Sequence, residues 1–237
     1  MWVFPLLAAL VALAFAIALL RQFLERRRSY QAIWAIALLM YAVASGAVAL
    51  GAASGWSSGA FRTYWAFGAV LNVPFLAQGE LDLLIRNRTV RWVLYALLAF
   101  VTAYTIARVR TAGIHAGALR ENLPSGKDVF GDGTAAHRLP QVISIPAYLV
   151  LVGGAVWSAW RMRGRRDLRD RFWGTLEIAL GATVIAGFGS AFAALGLLLA
   201  FSIALLVGIT VMFLGFLRAS RPAPPVAPAP APTERAA

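Results

Sequence analysis

The chain has 237 residues, 60% of them hydrophobic and 14% charged, against roughly a quarter charged in a soluble globular domain. Its net charge of +12 does not point to nucleic acid, because the arginines stand in short clusters between apolar runs, as the positive-inside rule expects of a membrane protein. There is no cysteine, which excludes disulfides, thiol nucleophiles and iron–sulfur ligation.

The apolar runs approach the length that crosses a hydrocarbon core of about 30 Å. The first predicted span covers residues 2–20. Arg21, Arg26, Arg27 and Arg28 follow it, whereas a cleaved signal peptide carries its positive charge before the apolar core. The expectation is an anchor with its N-terminus outside. The second span is 30–53 and the third 62–85, ending at Arg86, Arg88 and Arg91. The fourth, 92–108, is short, and Arg108 is expected to snorkel to the interface. Residues 109–140 form the only long loop, with both histidines and the single lysine, Lys127. The fifth span is 141–160. The run Ile178 to Leu217 then holds 40 residues without a charge. One helix of that length would extend about 60 Å, twice the membrane. It is therefore a hairpin, with spans at 172–192 and 197–217 and its turn near 193–196.

This predicts an all-α bundle of seven transmembrane helices over residues 1–220, with a disordered Pro/Ala-rich tail at 221–237. The loops after spans one, three and five carry 4, 3 and 6 basic residues and the tail 3, against 6 on the opposite side. That bias places the N-terminus outside, the 109–140 loop outside and the tail in the cytoplasm of a cell carrying this protein in its plasma membrane. The lipid bilayer is one partner, and anionic lipid is expected at the arginine-rich cytoplasmic loops. Tryptophans 2, 56, 92, 160 and 173 fall near span ends, as in an aromatic belt.

The stretch WAIALLMYAVASGAVALGAASGW, residues 34–56, resembles spans of multi-pass membrane proteins of high-GC bacteria, a likeness that implies no activity. In spans one to three and five to seven, an early proline (Pro5, Pro146) is followed by a basic loop, a bare loop and a basic end. This layout resembles the 3+1+3 duplication of the SWEET and PQ-loop transporters, which implies repeats related by an axis along the membrane normal. A Pro-Gln pair stands at Pro140–Gln141, and span one has Pro5–Leu6 in its place.

Span three alone carries several polar groups: Asn72, Gln78, Glu80 and Asp82, with Pro74 between them. On a helical wheel Gly68, Asn72 and Gly79 form one stripe, expected to pack against a neighbour through small residues and one hydrogen bond. Pro74 is expected to free a backbone carbonyl near Val70. Asp82 precedes Arg86 by four residues and reads as an i,i+4 ion pair. Glu80 and Glu177 lie at similar depth from the arginine loops, and buried membrane carboxylates default to function. The candidate substrate-binding residues are therefore Asn72, Gln78, Glu80 and Glu177, between spans three and six, with no catalytic or metal-binding residue and no cofactor. Gly51 and Gly55 read as a GxxxG packing pair. His115, His137, Glu121, Asp128 and Asp132 have no distinctive ligand spacing, so 109–140 reads as a solvated loop.

No lysine or histidine lies in a span, which excludes a retinal Schiff base, bis-histidine haem and a Ser–His dyad. The two main expectations are transport or binding of a small solute or lipid, and a sensor or assembly subunit that uses the external loop and the basic inner face. A continuous polar cavity reaching Glu80 and Glu177 favours the first; a closed apolar core favours the second.

Overall fold

The computed structural model describes residues 1–221, of Arg166 the backbone alone; the predicted tail falls almost wholly outside the described residues. Among the described residues the chain is helical and has no strand. Six helices are long and apolar enough to cross a membrane: α1 (Val3–Arg26), α2 (Ser29–Ser54), α4 (Arg88–Thr111), α5 (Ala135–Met162), α6 (Arg169–Ala194) and α7 (Leu198–Ala219). Between them α3 is a continuous helical rod of three segments, Ser58–Thr63, the π-helical Tyr64–Leu71 and Asn72–Leu84. Its polar residues keep its hydropathy below that of the other six. The outward faces carry large apolar side chains, among them Leu10, Leu39, Leu50, Phe100, Leu149 and Leu214. A polytopic membrane protein presents such a surface to lipid, and a soluble monomer rarely does.

The ends follow local chemistry. Arg27 closes α1 in the left-handed conformation, φ 53°. Asn87 caps α4 by accepting from the Thr89 and Val90 amides, so α4 starts well before the predicted residue 92. The hairpin turn lies at 195–197, two residues beyond the expected start, where Gly196 adopts φ +67°. Helix α5 begins at Ala135, inside the predicted loop.

The helices close a ring. Each of α1–α2, α2–α3, α3–α5, α5–α6, α6–α7 and α7–α1 is a packed pair, and α4 leans on α3 from outside. Only Thr105 and Val109 of α4 are buried. Helices α6 and α7 meet through reciprocal glycines. A Cβ on Gly174 would sit 2.4 Å from the Gly215 carbonyl oxygen, and one on Gly181 would sit 2.5 Å from that of Gly208. Only glycine allows this approach of two backbones. Gly153 and Gly187, by contrast, face open space.

Pro74 does free the Val70 carbonyl, and α5 satisfies it. The Ser144 hydroxyl lies 2.8 Å from the Ala69 oxygen and 3.0 Å from that of Val70. Ser144→Ala should lower stability by about 2 kcal/mol, the cost of leaving buried carbonyls unpaired. Thermal unfolding in detergent measures it; an unchanged midpoint would mean that water serves those carbonyls instead.

Candidate functional site

The polar residues of α3 point in three directions. Gly68, Asn72 and Gly79 face α2. A Cβ on Gly68 would meet that of Ala44 at 2.9 Å, the Asn72 amide donates to the Ala37 carbonyl at 2.7 Å, and the Trp34 ring lies over Gly79. Trp34 also donates from Nε1 to the Leu76 carbonyl at 2.9 Å.

Gln78 and Asp82 face α4. Gln78 donates to Asp82 at 3.1 Å, the Tyr95 hydroxyl donates to Asp82, and Arg91 Nε lies 3.4 Å from its carboxylate. The expected partner, Arg86, is thus replaced by Arg91. Helix α3 stops at Leu84, and Ile85 is extended, with ψ 117°. Arg86 therefore lies beyond the helix, where i,i+4 geometry no longer applies.

Glu80 faces α5. Its side chain is buried, and Ser158 donates to Oε1 at 3.3 Å. Gly154 makes the socket: a Cβ there would sit 2.6 Å from Glu80 Cγ. Among the described residues no cation is within ion-pair distance of this carboxyl. Glu177 faces α7, where Arg218 Nη1 binds it at 2.7 Å and also reaches Asp170 at 3.4 Å. The four candidate residues therefore have four separate partners: α2 for Asn72, Asp82 for Gln78, α5 for Glu80 and α7 for Glu177. Helix α5 packs against both α3 and α6.

The middle of the ring is nearly filled. A cavity of about 20 Å³ lies between Leu38, Tyr41, Asn72, Tyr148, Leu151 and Met212, room for a single water. Tyr41 donates to the Leu205 carbonyl at 2.9 Å and Tyr148 to Thr183 at 3.0 Å. At the basic end a side-chain chain links three helices: Gln31 donates to Gln22 at 3.2 Å, and Gln22 to Ser220 at 3.4 Å.

The loop expected to be solvated is a packed cap. Leu123, Val129, Phe130, Ala136 and Leu139 are buried. They close over an aromatic cluster at the end of α3, in which Phe61 stacks on Trp65 at 5.8 Å and meets Phe130 at 5.5 Å. Gly126 lies against the Trp65 ring. Trp56 Nε1 donates to the Asn122 carbonyl at 3.0 Å and Trp65 Nε1 to that of Ala136 at 2.9 Å. Arg62 donates to the carbonyls of Val109, Arg110 and Ala112 at the end of α4. Trp56 is thus a buried fastener and not part of an aromatic belt. Gly51 leaves room for its ring and Gly55 turns the chain at φ +87°, so the two glycines are not a helix-packing motif. The signal in the sequence was Val129–Phe130 and Leu123, apolar residues that a solvated loop has no use for.

Between the 51–57 turn and the cap lies an open cleft of about 610 Å³, with Arg120, Glu121 and Asn122 on one side and Gly55, Trp56 and Ser57 on the other. This volume is in the range of small-molecule sites. Arg120 and Glu121 are exposed and form no ion pair among the described residues. His137 and Lys127 lie 3.7 and 3.9 Å from Asp132. No group of three metal-ligating side chains converges among the described residues. In the 163–168 loop the Arg165 guanidinium, hydrogen-bonded to Asp167 at 2.9 Å, holds that carboxyl below the usual carboxylate range.

Comparison with protein families, curated proteins and solved structures finds no match to this chain.

Proposed function

We propose that this chain is a seven-span plasma-membrane receptor or assembly subunit that takes a ligand or partner on its external cap. Helix α3 counts as the seventh span, the N-terminus is outside and the tail cytoplasmic. The observation that carries this reading is the contrast between the two cavities: a cleft of about 610 Å³ at the cap and about 20 Å³ in the centre. A filled core offers no route across, while a packed cap with an open cleft offers a surface held in shape for binding. The opposite face suits docking. Arg26, Arg27, Arg28, Arg161 and Arg163 are exposed there, and each adds about 1 kcal/mol of attraction to anionic lipid.

Amide exchange on the full chain in lipid nanodiscs tests the cap. Residues 123–139 should exchange as slowly as the helix ends they cover. Exchange at the rate of a free chain would remove the reading.

Transport or binding of a small solute or lipid between spans three and six is the second reading. Glu80 supports it, as a buried carboxyl whose one hydrogen-bond partner among the described residues is the Ser158 hydroxyl, in an environment where ionisable groups are costly. Proteoliposomes loaded with a pH dye provide the test. A solute-dependent proton flux that Glu80→Gln abolishes would favour transport, and identical traces would discard it.

A further inference from the structure

Beside the polar cleft runs a second concavity of different character. It is a groove of about 760 Å³ on the outer side of α2, bounded by Trp2 just before α1 and Leu6 within it, by Val43, Gly46 and Leu50 of α2, and by Thr63 of α3. Its walls are almost wholly apolar, and Gly46 opens it further, because a Cβ there would meet nothing within 4 Å. Ser57 lines both the groove and the cleft. From Val43 to Ser54 α2 rises about 16 Å, close to half of a hydrocarbon core of about 30 Å. The groove therefore follows one leaflet, and the cleft stands where that leaflet's headgroups lie. On the cap side of the cleft a cation, Arg120, and an anion, Glu121, stand next to each other in the chain, both without an ion-pair partner among the described residues.

We propose that the joined cleft and groove bind one phospholipid with a zwitterionic headgroup. Arg120 takes the phosphate, Glu121 takes the ammonium, and one acyl chain lies in the groove along α2. A guanidinium–phosphate contact and a carboxylate–ammonium contact are both charge-assisted hydrogen bonds, and together they select a headgroup carrying both charges. The inference rests on the reading that the cap is a binding surface, and it names the ligand class for it.

Native mass spectrometry of the delipidated full chain, titrated with phosphatidylethanolamine, tests the site. One lipid should be retained in preference to the rest. Arg120→Ala and Glu121→Ala should each weaken retention about tenfold, the loss of one charge-assisted contact. Gly46→Leu, whose Cβ would meet nothing within 4 Å and whose side chain would occupy the groove, should weaken it similarly and leave the melting temperature unchanged. Retention that none of the three variants alters is annular lipid and overturns the proposal. Equal binding of water-soluble glycerophosphoethanolamine, unaffected by Gly46→Leu, shows a soluble-ligand site and also overturns it. Absence of any retained lipid does the same. If amide exchange shows residues 123–139 protected in any of these cases, the cap reading survives the loss of the lipid.

Discussion

Phe61→Ala should release the cap from the bundle. Phe61 is fully buried and touches Trp56, Tyr64, Trp65 and Phe130, so it joins the start of α3 to the cap from beneath. Truncating a phenylalanine in such a setting costs about 3–5 kcal/mol, from lost transfer energy and the cavity left behind. The loss should be local before it is global. Residues 113–134 should become open to protease, and the detergent melting midpoint should fall by about 10 °C. Phe61→Leu, which keeps most of the volume, should restore most of the protection. A cap as resistant in Phe61→Ala as in the unaltered chain would mean that Arg62, Trp56 and Trp65 hold it by hydrogen bonds alone.

Gly181→Leu should be the most damaging single change inside the membrane. The α6 and α7 backbones touch at Gly181 and Gly208, and an added Cβ would stand 2.5 Å from the Gly208 carbonyl and from Met212. The near neighbours include backbone, which cannot rotate away. The two helices must separate, which costs about 3 kcal/mol or more and removes the reciprocal contacts at Gly174 and Gly215. Separation also disturbs the Arg218–Glu177–Asp170 group, which ties the same two helices at their other end. Gly187→Leu is the control, since that position faces open space. Thermal unfolding of both variants decides the matter. Equal midpoints would show that the hairpin accommodates the bulk and that the glycine contacts are not what holds it.

The helical class and the membrane setting were legible because both follow from one-dimensional patterns. The uncharged run after Glu177 demanded a hairpin, and the turn falls at 195–197 with Gly196 at its left-handed position. Azimuth was not legible. Depth from the arginine loops placed Glu80 and Glu177 level with each other, but nothing in a single sequence states which neighbour each helix turns toward. Glu80 turns to Ser158 and Glu177 to Arg218. An Asp82–Arg86 pair requires a helix that continues two residues beyond Leu84, where this one ends. The cap was missed for another reason. Its apolar residues come in ones and twos between Gly, Asp and Pro, and no period of 3.6 or 2 runs long enough to register. What fixes them is Trp56, Phe61 and Trp65, all distant in the chain. The small-residue stripe of α3 was the easier inference, because its partners, Trp34, Ala37 and Ala44, follow the same helical period on α2.

The absence of native cysteine makes the central claim, a closed bundle under an ordered external cap, open to one direct measurement. Single cysteines at Gly117, Val129 and Gly164, in intact cells treated with a membrane-impermeant maleimide, sample the exposed cap, the buried cap and the arginine-rich loop. Gly117 is exposed and unobstructed, while Val129 is fully buried. Gly117→Cys should label rapidly from outside. Val129→Cys should label only when Phe61→Ala is added, and Gly164→Cys only after the membrane is opened. Prompt labelling of Val129→Cys in the otherwise unaltered chain, or labelling of Gly164→Cys from outside, would contradict the account.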